Sequence, residues 1–285
     1  MPLVSQWDRL LKNQGTWVGS FTQLSPQGEM LQDTPTEVAL TPTDQGQGMR
    51  QEIRKYLPGQ PMEETVLNYR SLGRGVLFCD TGAFSQGAIQ WSPVSEFGAE
   101  LGLIHGQERL RLAQVFQRQP QISTLTLIRE HLQGSAPTQR PPLSVDQLVG
   151  TWIGQATTVF PDLQPEQTMT SQLVVQRPGG NGPKGPAVDH RLQQTLTFGQ
   201  SPPIQTAARP QGNILQFDQG EQPVTLLLLP DGASATFPTA IQPGKPFFLE
   251  VGWLIAPNQR QRLIRTYNAQ GTWVSLTLVI EQKQT

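Results

Sequence analysis

A single cysteine, Cys79, stands in a chain of 285 residues, so no internal disulfide can form. With no partner thiol, and with neither a basic nor an apolar region at the N-terminus, a reducing cytoplasm is the expected location. Net charge is nearly absent too: 21 Lys and Arg face 22 Asp and Glu. That balance leaves no basic field to hold nucleic acid and no polybasic arm for a membrane surface. Long apolar runs are missing; the longest, 224–229, has the length of a strand and predicts no transmembrane segment. Histidine is scarce, and His105, His131 and His190 fall at no metal-ligand spacing. What the chain has instead is 27 Gly and 25 Pro with 36% hydrophobic residues, a composition that suits a β protein with many turns. Its length suggests two domains.

A repeat makes the division explicit. Gly15-Thr16-Trp17-Val18-Gly19 recurs as Gly150-Thr151-Trp152-Ile153-Gly154, each after a short helix-like stretch at 6–13 and 145–149. Later in each half, Glu100, Gly102, Arg109 and Arg111 face Glu250, Gly252, Arg260 and Arg262, with one extra residue in the second loop. Beyond that loop Arg109, Arg111, Phe116 and Glu130 match Arg260, Arg262, Tyr267 and Glu281 at a constant offset, and Asp80 falls opposite Asp231. A period of this size marks an internal duplication. The repeat places one domain at 1–132, a linker rich in Gly, Ser and Pro at 133–141, and a second domain at 142–285. The glycine-rich stretch 179–186 reads as a long hairpin loop inside the second domain.

Alternating apolar and polar residues predict strands at 17–23, 37–41, 49–56, 65–70, 75–80, 83–91, 97–105, 109–116 and 123–131, nearly all separated by turn residues. A meander of this kind is expected to close on itself, because closure removes aggregation-prone edges. Eight to ten strands would make a barrel wide enough for one small ligand. Along 109–116, Arg109, Arg111, Ala113 and Val115 share one face and Leu110, Leu112, Gln114 and Phe116 the other.

A Gly-x-Trp on the first strand after a short helix, here Gly15 and Trp17 with Gly150 and Trp152 in the second copy, resembles the lipocalin or calycin superfamily. The closing pattern, from Glu100 through Arg109 and Arg111 to Arg129 and Glu130, is similar to the end of the S/U-type phycobiliprotein lyases. Over its whole length the chain looks like a cyanobacterial and chloroplast family of tandem lipocalin-like proteins known as a domain of unknown function. The resemblance implies an all-β fold of two tandem antiparallel lipocalin-like β-barrels. It also implies a base arginine across the Trp, a role that falls to Arg129 in one copy and to no residue in the other, where Ile280 stands.

The tryptophans Trp17 and Trp152 are expected to plug the barrel bases. The pairs Arg109/Arg111 and Arg260/Arg262, with Glu100, Glu250, Phe116 and Tyr267, are the candidate ligand-binding residues. Guanidinium binds carboxylate bidentately, so these arginines suit a bilin propionate or a fatty-acid head group. The alternative is that they face solvent or pair with Glu100, Glu130, Glu250 and Glu281. Cys79 between apolar neighbours reads as core, Glu63-Glu64 as solvated charge, and Lys184-Gly185 lacks the Ser or Thr of a phosphate loop. No catalytic residue is identified. The leading expectation is a non-catalytic carrier for a hydrophobic small molecule: a bilin or other tetrapyrrole, a carotenoid or a lipid. An assembly factor for photosynthetic complexes comes second, with a phycobiliprotein or photosystem subunit as partner, and a bilin lyase third.

Overall fold

The computed structural model describes residues 4–177 and 191–284; the stretch 179–186 and His190 lie outside the described residues. The chain forms two compact units, Met1–Gln139 with Val159–Gln164 and Arg140–Thr158 with Pro165–Thr285. In unit 1, α1 (Gln6–Leu11) precedes β1 (Gly15–Leu24), β2 (Met30–Thr43), β3 (Gly48–Lys55), β4 (Glu63–Tyr69), β5 (Val76–Phe78), β6 (Phe84–Gly87), β7 (Glu96–His105), β8 (Glu108–Gln117) and β9 (Thr124–Leu132). In unit 2, α2 (Val145–Leu148) precedes β10 (Gly150–Val159), β11 (Gln167–Gln176), β12 (Leu192–Phe198), β13 (Ile204–Gln211), β14 (Ile214–Phe217), β15 (Val224–Leu228), β16 (Ala233–Pro238), β17 (Phe247–Ala256), β18 (Gln259–Tyr267) and β19 (Trp273–Lys283).

Unit 2 is a closed barrel of ten antiparallel strands, while unit 1 is a nine-stranded sheet ordered β4-β3-β2-β1-β9-β8-β7-β6-β5. The expectation of two closed barrels therefore holds for the second copy and is corrected for the first. The cause is local. Where unit 2 inserts β14 between β13 and β15, unit 1 has only residues 70–75, Arg70-Ser71-Leu72-Gly73-Arg74-Gly75. Two glycines in six residues weaken a strand and supply little to pack. This connection forms no ladder, and β4 and β5 remain unpaired with each other.

The repeated motif has a mechanical explanation. A short capped helix enters each sheet: Ser5 and Asp8 make a reciprocal capping box for α1, and Ser144 and Gln147 do so for α2. Gly15 and Gly150 then turn into the first strand at φ +120° and +133°, a region that disfavours side chains. The second glycine of each motif is fixed by a close approach of strands. A Cβ on Gly19 would lie 1.9 Å from the Arg129 carbonyl oxygen, and one on Gly154 1.9 Å from that of Ile280. Gly154→Ala must push β10 off β19, and urea unfolding is expected to show a loss of about 1–3 kcal/mol. A neutral effect would mean that the ladder does not set this glycine.

Each core gathers on its motif Trp. Trp17 packs with Leu10, Val38, Leu40, Met49, Phe78 and Phe84. Trp152 packs with Leu148, Leu173, Val175, Leu192, Ala208 and Leu215. The tryptophan N–H groups donate to the carbonyls of Asn13, at 2.8 Å, and Leu148, at 2.9 Å, at the ends of the entry helices. Burial of the indole thereby leaves no orphaned donor.

Candidate functional site

Register brings the repeated charged residues together. On β8, Arg109 pairs with Glu130 of β9, and Ala113 with Glu100 of β7, so all their side chains point to one face, that of Trp17. Glu130 is the hub. It accepts from Arg109 Nε at 2.8 Å and from Arg111 Nε at 3.0 Å and Nη2 at 2.7 Å. Arg111 Nη1 reaches across to Glu100 at 2.7 Å. The Arg109 guanidinium lies 4.3 Å from the centre of the Trp17 ring, and that of Arg111 5.3 Å from the Phe21 ring.

Unit 2 repeats the arrangement. Glu281 accepts from Arg260 Nε and, at 3.1 Å, from Arg262 Nε, while Arg262 Nη1 donates to Glu250 at 3.4 Å. Arg260 covers Trp152 at 4.7 Å. Thr236 adds a donor to Glu250 at 3.3 Å. Each quartet holds two arginines and two glutamates, so its formal charge is zero.

These contacts correct one implication of the resemblance. The arginine across the base Trp is Arg109 in unit 1 and Arg260 in unit 2, present in both copies; Arg129 instead donates to Thr22 at 2.9 Å. Phe116 and Tyr267 are not brought into the quartets. Phe116 faces the other side of β8 with its ring 5.7 Å from Phe97, and Tyr267 stacks on Phe247 at 4.7 Å and accepts from Arg265 Nε at 2.7 Å. Cys79 is buried, and Glu64 binds Arg54 at 2.8 Å.

Burial would raise the Glu130 carboxyl, but the charges of Arg109 and Arg111 and their hydrogen bonds outweigh it and hold the group below its ordinary value of 4.5. Glu281 is lowered against burial in the same way by Arg260 and Arg262. Glu250 differs: burial raises it, and Arg262 and Arg260 offset that only in part. The sign for Glu130 and Glu281 follows from linkage. A lowered native pKa contributes stability that is whole above the unfolded value near 4.5 and is lost as pH falls toward the native one. Urea midpoints measured from pH 6 down to about pH 3 should therefore drop below pH 4.5, and the Glu130→Gln chain should drop less. An equal slope in both chains would contradict this role for Glu130.

Below the unit 1 quartet is a cavity of about 50 Å³ lined by Asn13, Gln51, Tyr69, Gln86, Glu100, Arg109 and Arg111 among apolar residues. Arg109 Nη2, buried without a hydrogen-bond acceptor, belongs to this wall. The space suits one or a few waters, whereas ligand pockets run to about 300–1,000 Å³. Among the described residues no group of three His, Cys, Asp or Glu could hold a metal ion, and no helix is long and apolar enough to cross a membrane.

Fold and site together define an all-β, internally duplicated protein in which each sheet encloses a self-neutralised Arg/Glu quartet over a base tryptophan. The chain belongs to the DUF3598 family. Residues 3–135 match the N-terminal domain of that family, and residues 139–284 match the C-terminal domain of biogenesis factor required for ATP synthase 1. The crystal structure of a DUF3598 protein of unknown function from Nostoc punctiforme is 43% identical, covers 98% of this chain and 99% of its own, and gives a TM-score of 0.90. An S-type phycobiliprotein lyase from Guillardia theta is distantly similar, at 12% identity over 49% of this chain and 90% of its own, with a TM-score of 0.36. That likeness is too slight to bear on function. Among curated proteins, none matches the chain.

Proposed function

We propose that the chain is a non-catalytic assembly factor, working in the cytoplasm of a cyanobacterial cell in the biogenesis of ATP synthase. The observation that carries this reading is that Arg109, Arg111, Arg260 and Arg262, on which a carboxylate carrier would depend, are already bound by Glu130, Glu100, Glu281 and Glu250. A propionate or fatty-acid head entering either quartet would have to displace a buried glutamate and leave its charge unpaired, at a cost of several kcal/mol. The same objection applies to a bilin lyase that clamps its pigment on these arginines. With the two Arg/Glu quartets paired within themselves, action through the surfaces of the chain is the reading favoured over carriage of a carboxylate. The match of residues 139–284 to a domain named for ATP synthase biogenesis supplies the class of complex.

Isolation of the tagged full-length chain from its native host tests this directly. An ATP synthase subunit in stoichiometric amount, with no visible absorbance, is expected. A coloured or lipid-loaded chain carrying no such subunit would overturn the assembly reading in favour of a carrier.

A further inference from the structure

Above the unit 1 quartet the face that carries Arg109 and Arg111 continues into Ala113 and Val115. Ala113 pairs with Glu100 and Val115 with Gly98, Glu100 pairs in turn with Gln86, and Gln86 with Val76. Paired residues on antiparallel strands project to the same side. The inner wall of β5 to β8 is thus built from Val76, Gln86, Gly98, Glu100, Ala113 and Val115.

Small residues leave room there. With Gly75, Gly87 and Glu96, this wall bounds a shallow cup of about 550 Å³ that is wide open to solvent. Gly98 is held small by the ladder, since a Cβ on it would lie 2.5 Å from the Gln114 carbonyl oxygen. In unit 2 the same register places Phe248 opposite Thr266 and Ile264 opposite Glu250. The second copy thus carries Phe and Ile at the positions where the first carries Gly98 and Ala113. Leu67 follows the same logic on β4: it pairs with Gln51, which lines the deeper cavity, yet it remains 46% exposed.

The charge of the cup is of one sign. Among the described residues its ionisable lining groups are Glu96 and Glu100, both on the inner face of β7; Glu100 is already paired with Arg111, so Glu96 supplies the net charge that faces the cup. Glu100 is held by Arg111 at Oε1, while its Oε2 takes only a 3.3 Å bond from Gln86 Nε2. A carboxylate oxygen has room for further donors.

We propose that this cup binds an amphiphile whose apolar stem lies against Val76, Ala113 and Val115 and whose ammonium group meets Glu96 and Glu100. It selects cations and rejects the carboxylates that the buried arginines alone would suggest. Calorimetric titration of the full-length chain with octylamine and with octanoate tests the assignment. One-to-one octylamine binding, roughly tenfold or more tighter than octanoate, is expected. Ala113→Ile, which installs the residue of the second copy, should abolish it, and Glu96→Gln should weaken it severalfold. Val76→Phe provides a second plug if Ala113→Ile does not fold. Octanoate binding as tightly as octylamine, octylamine binding that survives the plug, or no saturable binding would each overturn the proposal.

Discussion

Glu281→Ala is expected to destabilise the chain by about 3–5 kcal/mol, the cost of leaving a buried charge without its partner. Glu281 is fully buried and is the shared acceptor for Arg260 Nε and for Arg262 through Nε and Nη2. Once it is removed, Arg262 keeps Glu250, but Arg260 is left with the faces of Trp152 and no carboxylate. Water cannot easily replace the lost carboxylate in so enclosed a place, so the desolvation of the guanidinium goes uncompensated. The double replacement Glu281→Leu with Arg260→Met removes one charge of each sign and leaves Arg262 with Glu250. It should recover most of the loss, because a buried ion pair is itself worth little against apolar packing. Urea unfolding of the three chains decides the matter. A loss below about 1 kcal/mol for Glu281→Ala would show that the cluster is hydrated and not sealed.

Trp152→Ala should cost a similar amount, about 3–5 kcal/mol, for a different reason. Here the loss is volume. The indole has no exposed surface and touches both the α2 end, through Leu148, and the inner faces of β11 and β12, through Leu173 and Leu192. Its removal leaves a cavity and takes away the ring beneath Arg260 and, at 5.2 Å, beneath Lys283 Nζ. Trp152→Phe keeps most of the ring and should lose only about 0.5–1.5 kcal/mol for the bond to Leu148 together with a small packing term. If the alanine and phenylalanine variants unfolded alike, the hydrogen bond and not the volume would be the important contribution.

Much of this architecture was legible in the sequence because the duplication writes each element twice. The Gly-Thr-Trp-x-Gly motif marked the start of both sheets, and the constant offset linking Arg109, Arg111 and Glu130 to Arg260, Arg262 and Glu281 already contained the quartets. Pairing across strands could be anticipated from that spacing, but not the choice between a glutamate and an outside carboxylate, which depends on register and distance. Strand β2 was foreseen only from 37 onward, though it begins at Met30. Its first residues, through Pro35, are mostly exposed, and they are ordered by pairing with β1 and not by their own alternation.

The open edge of unit 1 was missed for a related reason. Residues 70–75 occupy the place of a strand in chain order, and only the absence of a partner reveals that they do not form one. The cup above the quartet was hidden because Gly98 and Ala113 contribute by lacking side chains. Comparison of the two copies would have exposed it, since Phe248 and Ile264 stand at the matching positions. The arginine across the base tryptophan was assigned to Arg129 by resemblance, whereas Arg109 takes that place through the register of β8 with β9.

The proposed role in ATP synthase biogenesis rests on the protein's surfaces, with the four quartet arginines already paired to glutamates. The most direct test is the amount of assembled ATP synthase in cells lacking the chain, resolved by native electrophoresis and probed for its subunits. Less complete enzyme is expected, with free subunits or partial complexes accumulating and the wild-type chain restoring the full level. An unchanged level of complete ATP synthase in the deletion strain would contradict it.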